Sequence, residues 1–480
     1  MVISLVRIIG VLLVLIALTM CIPVSAALVY GEYTVLPAFL IPMAVCVAAE
    51  AVLFFVTRGY VFKLNTKSGF VVVAVSWLSA CLFGAVPFLL SGCISGFADA
   101  LFESVSGFTT TGATILSEVE VLPRSINVWR MQMHWLGGMG IVALTVALLP
   151  VLGVGGFQLI KAETTGPEKG KITPKITVTA KILWFIYIAL TILQTVLLMC
   201  TGMDFFDALG HSFATVGTGG FSSRNSSIGS YGSAAADWIC TAFMILAGVN
   251  FSLYYRVLAG HGSELLQNTE LKAYAAIVAG ASLIIVPFIM PLYGSFVAAL
   301  RYASFHVASI ISTTGFSTAD YSLWHPAAQA VLCVLMLIGG CSGSTAGGIK
   351  VIRWVVLGKQ MGVEVKRLLH PHGVFSIQLN KRAGRKDVVY NVAAFTFLYF
   401  FILMLTTFVS ATDGADLLTS LTASFALVGN VGPGFGNVGP AHNFGFFSDA
   451  AKYWFSFAML AGRLELYTML IFFMPGFWKK

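Results

Sequence analysis

Ten apolar runs dominate this sequence, near residues 5–30, 36–57, 69–91, 129–150, 182–202, 237–259, 273–293, 326–357, 388–410 and 450–478. A helix needs about 20 apolar residues to cross a bilayer core, and in lipid every backbone polar group must be paired within the protein. Runs of this length and number predict an all-α polytopic membrane protein with about ten transmembrane helices. Composition agrees, since 58% of the 480 residues are hydrophobic and 10% charged, with a mean hydropathy of +0.89. Soluble proteins average about 45–50% apolar and about 25% charged, so a soluble enzyme, a disordered chain and a disulfide scaffold are excluded. The first run, with Arg7 ahead of it and Val24-Ser25-Ala26 behind, has the outline of a signal peptide. It reads instead as a retained first helix, because no soluble domain follows. The eight cysteines contain no Cys-x-x-Cys pair and fall mostly in apolar runs, as small buried hydrophobes would.

The net charge of +8 is an orientation signal and not a nucleic-acid footprint. With ten spans, 22 of the 28 Lys and Arg residues fall in inner segments, which puts both termini in the cytoplasm. The basic segments 161–181 and 350–390 would face anionic lipid, a partner protein being the alternative. The outer connections carry Asp99, Glu103, Glu118, Glu120, Asp204, Asp207 and Asp416. An acidic vestibule of this kind concentrates cations.

The long outer connections repeat one pattern. Each offers about ten helix-compatible residues, then a short Thr- or Asn-led triplet ending in glycine, then polar, Gly-rich chain. The four segments are Thr110-Thr111-Gly112-Ala113, Thr215-Val216-Gly217-Thr218, Thr313-Thr314-Gly315-Phe316 and Asn430-Val431-Gly432-Pro433. Asp99 and Asp204 each stand 13 residues before the glycine of their segment. One Thr-x-Gly would mean nothing in a glycine-rich membrane protein; four, each between two spans, make an internal repeat. The repeats divide the chain into two accessory helices (1–66) and four helix–pore loop–helix units (67–160, 161–265, 266–385 and 386–480) around one central pore.

A cation crossing a bilayer must exchange its water for oxygens held at close range, and K⁺ filters supply them as backbone carbonyls from extended loops. Carbonyls can all point inward only where a residue takes dihedrals that a side chain disfavours, hence glycine. One polypeptide with four such loops closes a pore by itself. Four stretches then identify a family: Arg130-Met131-Gln132-Met133-His134-Trp135-Leu136-Gly137-Gly138-Met139-Gly140, Leu152-Gly153-Val154-Gly155-Gly156, Ile338-Gly339-Gly340-Cys341-Ser342-Gly343-Ser344-Thr345-Ala346-Gly347-Gly348-Ile349-Lys350, and Gly462-Arg463-Leu464-Glu465. On these, and over essentially its whole length, the chain resembles the Trk/Ktr/HKT superfamily of potassium transporters, most closely the bacterial TrkH/TrkG branch. The resemblance implies K⁺ as the transported ion, the bacterial inner membrane, a homodimer, and a TrkA-like cytosolic subunit carrying nucleotide-binding domains. It implies neither an enzyme nor a covalently bound cofactor. Asn430 and Pro433 depart from the threonine pattern, although the fourth repeat of the family is similar there.

Two intramembrane features stand out. Gly or Ser fills seven of the ten positions from Gly339 to Gly348 (Gly339, Gly340, Cys341, Ser342, Gly343, Ser344, Thr345, Ala346, Gly347, Gly348), and each glycine costs a helix about 1 kcal/mol relative to alanine. The run reads as a mobile gate loop below the filter, with close helix packing through small residues as the alternative. Arg463 lies deep in the last run, where arginine is costly. By resemblance it projects into the pore as an electrostatic barrier; otherwise it is a buried partner for an acid or carbonyl. Arg130 and His134 read as structural, and His211 and His306 as capping or core residues.

Three rival readings remain. Gly153-Val154-Gly155-Gly156 brushes against a dinucleotide glycine pattern without a strand–turn–helix unit around it. Gly340-Cys341-Ser342-Gly343 is similar to the serine motif of intramembrane proteases but lacks a histidine base at matching depth. An ion-coupled secondary transporter would show inverted repeats and acids within spans, of which Glu50 is the one found deep in an early span.

Overall fold

The structure is a computed structural model that describes residues 2–58, 66–140, 176–380, 382–383 and 386–478. Helices α1 (Val2–Thr19) and α2 (Cys21–Tyr30) stack into one apolar span, followed by α3 (Leu36–Val56). A first unit runs α4 (Thr66–Leu90), the short α5 (Phe97–Phe108) and α6 (Arg124–Gly138). A second has α7 (Ile176–Met199), the short α8 (Phe205–Val216), then α9 (Ala234–Ala247) and α10 (Phe251–Leu258), which meet at 91°. After α11 (Ser263–Gln267) come α12 (Thr269–Tyr293), α13 (Phe296–Ile311), α14 (Pro326–Met336) and α15 (Val351–Leu369). An antiparallel ribbon of β1 (Gln378–Leu379) and β2 (Arg382–Ala383) leads to α16 (Lys386–Thr412), α17 (Leu417–Val428), α18 (Asp449–Arg463) and α19 (Tyr467–Leu470).

This is a helical membrane protein. Among the described residues, six helices are long and apolar enough to cross a membrane, and two bent pairs bring the number to as many as eight. Two of the ten expected runs account for the difference. The run at 326–357 breaks after Met336 and resumes helix only at Val351, where its glycines and serines favour loop. The run at 129–150 is helical to Gly138, and 141–150 lie outside the described residues, as do the motif 152–156 and the basic positions 161–175. Cys46, Cys81, Cys240 and Cys341 are buried as expected, whereas Cys21 and Cys200 are exposed.

The four short helices lie at the centre. Phe102 to Thr111, His211 to Gly219, Phe305 to Thr314 and Thr422 to Gly432 are buried without interruption. Non-membrane-spanning backbone at this depth is tolerable because protein surrounds it. Side-chain caps start three of the four helices: Asp204 accepts from Phe206 N–H, Ser295 from Ala298 N–H and Asp416 from Thr419 N–H. Hydrogen bonds from Thr419 hold the exposed Asp416 carboxyl below the ordinary aspartate range.

Candidate functional site

The four short helices end in one geometry. The N–H groups of Thr110, Thr218, Thr313 and Asn430 reach back three residues to carbonyls at 3.0–3.3 Å. The next N–H groups, of Thr111, Gly219, Thr314 and Val431, reach back five residues to Ser106, Ala214, Ser309 and Ala426 at 2.8–2.9 Å. This paired closure normally ends on a left-handed glycine. Here the left-handed residues are Thr110 and Thr218 (φ 55), Thr313 (φ 56) and Asn430 (φ 53). A β-branched residue at positive φ is an outlier, and backbone held this way by its surroundings is typical of functional sites. Two residues on stand Gly112 (φ 78), Gly220 (φ 82), Gly315 (φ 82) and Gly432 (φ 98).

Those four glycines close the loops into a ring. A Cβ on Gly112 would lie 2.0 Å from the Gly219 carbonyl oxygen, and one on Gly220 would lie 2.0 Å from that of Thr314. On Gly315 it would meet the Val431 carbonyl oxygen at 2.2 Å, and on Gly432 that of Thr111 at 2.6 Å. Each loop thus sets a carbonyl against the glycine of its neighbour, in the order first, second, third, fourth, first. Backbone carbonyls are the oxygens this ring offers. Among the described residues, no group of three or more His, Cys, Asp or Glu is placed to hold a metal ion.

The second loop differs in register from the sequence expectation. Thr215 and Val216 belong to the last turn of α8, and Gly217 is its cap at φ −73. The residues equivalent to 110–113, 313–316 and 430–433 are Thr218-Gly219-Gly220-Phe221. The segment Thr215–Gly220 satisfies Thr-x-Gly twice, and the shared 13-residue spacing from Asp99 and Asp204 favoured the wrong copy. In the structure Asp204 caps its helix 16 residues before Gly220, whereas Asp99 lies inside α5 and pairs with Lys452 at 2.6 Å. Packing explains the extra glycines. A Cβ on Gly219 would lie 2.1 Å from the His134 ring, and one on Gly217 would lie 2.5 Å from the His134 carbonyl oxygen.

Polar side chains, among them Glu103, expected in the vestibule, and His211 and His306, expected as capping or core residues, tie each helix to the leg of its loop beyond the glycine. Glu103 accepts from Thr114 Oγ1 (2.9 Å) and Ile115 N–H (3.1 Å), His211 Nε2 meets Ser222 Oγ (2.8 Å), and His306 Nε2 meets the Ala319 carbonyl (3.1 Å). All three stand nine residues before their loop glycine, a repeat visible only once the second loop is aligned on Gly220. In the fourth unit Thr422, ten residues before Gly432, plays the same part, exchanging bonds with Phe435 N–H and C=O (3.0 and 3.2 Å). His134 bridges two units, with Nδ1 on the Gly107 carbonyl (2.8 Å) and Nε2 accepting from Phe221 N–H (3.1 Å). Arg130 pairs with Glu103 at 2.6 Å, both fully buried. Removing one member of such a pair strands a buried charge, at about 3–5 kcal/mol.

Glu103 is therefore a brace and not a vestibule acid. Asp207 is also engaged, by Ser223 Oγ (2.8 Å) and Tyr231 Oη (3.0 Å), with Arg224 at 3.6 Å. Burial, and then the Asp207 charge, push the Tyr231 phenol up to about 12, so it remains a donor. Glu118 and Glu120 stay exposed.

Beneath the ring lies the segment 339–348. Thr345 Oγ1 donates to the carbonyls of Val216 (3.0 Å) and Ala247 (3.2 Å), and Gly347 N–H donates to Thr313 Oγ1 (2.7 Å). A Cβ on Gly347 would sit 2.6 Å from the Gly429 carbonyl oxygen. The segment thereby touches the second, third and fourth of the short helix–loop units. Arg463, the last residue of α18, donates to the carbonyls of Thr345 (2.7 Å), Gly137 (2.7 Å) and Gly138 (3.0 Å). It joins the tip of this segment to the end of α6 in the first unit. Glu465 turns away at φ 59 and pairs with Arg353.

Comparison with known proteins shows the family. The profile of the TrkH family, described as a cation transport protein, matches residues 35–275 and 295–480. The chain is 40% identical to the Trk system potassium uptake protein TrkH of Halomonas elongata, covering 99% of this chain and 98% of that protein. Against Trk system potassium uptake protein TrkG of Escherichia coli (strain K12) it is 35% identical, covering 98% and 97%. The crystal structure of the potassium transporter TrkH from Vibrio parahaemolyticus superimposes with a TM-score of 0.89 at 36% identity, covering all of both chains.

Proposed function

The chain belongs to the TrkH family of cation transport proteins, and from that premise we propose that it takes up K⁺ across the bacterial inner membrane. Membership of a transport family sets aside the protease and dinucleotide readings. The observation that carries the proposal is the ring, in which each left-handed glycine fits against a carbonyl of the next loop. Carbonyls of 110–113, 218–221, 313–316 and 430–433 replace water around the ion; the second window moves by three residues from 215–218. Fixed carbonyl dipoles compensate a monovalent cation without trapping it in a site of full charge.

The segment 339–348 is the gate, held under the filter by Thr345, Gly347 and Arg463. The Arg463 guanidinium adds a fixed positive charge on the ion path and slows cation exit. Both termini lie in the cytoplasm, where a TrkA-like nucleotide-binding subunit acts on the gate of a homodimer. The test is Rb⁺ uptake into proteoliposomes under an imposed K⁺ gradient. Saturable Rb⁺ uptake that K⁺ inhibits is expected, with a higher rate or altered rectification in Arg463→Ala. Protein-free leak rates, with and without the cytosolic subunit, would sink the proposal.

A further inference from the structure

The glycine-rich loop is a hairpin closed at its base, where Lys350 N–H donates to the Ile338 carbonyl and Val351 N–H to that of Gly340, both at 3.0 Å. One side chain from outside the hairpin reinforces this closure. Glu270, in the first turn of α12 and 7% exposed, accepts the N–H of Ser342 (2.6 Å) and of Ile352 (3.2 Å) on the same oxygen, Oε1. Residues 342–352 thus form a ring closed through one buried carboxylate. Two N–H groups, one from each side of the hairpin, thus converge on a single buried oxygen and add to the two backbone bonds at the base.

The first turn of α12 is itself tethered. Thr269 N–H donates to Asn380 Oδ1 (2.9 Å) and Asn380 N–H to Thr269 Oγ1 (3.3 Å). Asn380 sits at φ 47 in the turn of the ribbon, and Lys359 of α15 donates to the Gln378 carbonyl at 2.5 Å. A continuous series of bonds therefore runs from the ribbon through Thr269 and Glu270 into the base of the loop.

We propose that Glu270 is a positioning residue that latches the glycine-rich loop under the filter, and that the ribbon of β1 and β2 is the handle through which a pull on the protein reaches that latch. The inference rests on the gate reading above. A purely structural Glu270 would only stabilise the start of α12, and its loss would not act through the loop.

The test uses the full chain alone in proteoliposomes. Glu270→Ala, which removes the acceptor of both N–H groups, is expected to raise Rb⁺ flux about tenfold or more, the scale of losing two hydrogen bonds, with the preference for Rb⁺ over Na⁺ unchanged. In a chain already shortened within 342–347 the same substitution is expected to add nothing, because latch and loop act as one unit. Asn380→Ala, which loosens the tether without touching the carboxyl group, is expected to give a smaller rise, and it decides the matter if Glu270→Ala does not fold. Unchanged flux in folded Glu270→Ala, or an equal increment in the shortened chain, would overturn the latch while leaving the gate intact. A shortened loop that leaves flux at the wild-type rate would overturn both.

Discussion

Deleting residues within 342–347 is expected to raise Rb⁺ flux through the chain alone by about tenfold or more. The segment is held by the bonds of Thr345 to Val216 and Ala247, of Gly347 to Thr313, and of Arg463 to Thr345. Each is worth on the order of 1 kcal/mol net. Two or three lost together move an open–closed equilibrium by about one to two powers of ten, since about 1.4 kcal/mol is a factor of ten. The deletion leaves the carbonyl ring and its braces at Glu103, His211, His306 and Thr422 in place, so selectivity should survive. Unchanged or abolished flux in a protein that elutes and melts like the parent would count against a gate.

Gly220→Ala is expected to remove selective K⁺ uptake, whereas Thr215→Val leaves the K⁺/Na⁺ ratio as it was. The alanine Cβ would stand 2.0 Å from the Thr314 carbonyl oxygen on a backbone at φ 82. Left-handed strain of about 1–3 kcal/mol adds to that clash, and the loop must shift out of the ring. Thr215 is in the last turn of α8, where its hydroxyl donates to the His211 carbonyl (2.6 Å) and accepts from Gln194 (2.9 Å). Its loss should lower stability by about 1 kcal/mol, read as a modest drop in melting temperature. Competition flux with K⁺ and Na⁺ measures both variants. A normal ratio in Gly220→Ala, or a collapsed one in Thr215→Val, would return the second window to 215–218.

Much of the fold was legible because a bilayer imposes few choices. Apolar runs of about 20 residues must be helices, and four equivalent short segments between spans must dip back. Reading failed where two physical demands shared one residue type. In Val216-Gly217-Thr218-Gly219-Gly220, Gly220 answers the carbonyl of the next loop, while Gly217 and Gly219 answer His134 on α6. Sequence spacing cannot separate a glycine needed for dihedrals from one needed for close packing. Glu103 was misplaced for a related reason: its charge suggested solvent, and only the approach of Arg130 and Thr114 in space explains its burial. Arg463 was found by its cost in the membrane, yet its carbonyl partners come from residues more than 100 positions away.

The ring itself is tested most directly by locating the ion. Crystals of the protein in Rb⁺, measured at the rubidium absorption edge, are expected to show anomalous density on the axis of the four loops. The peak should be ringed by carbonyl oxygens of the windows starting at Thr110, Thr218, Thr313 and Asn430. Rb⁺ bound elsewhere, or coordinated on the second loop by residues 215–217, would contradict a filter in this register.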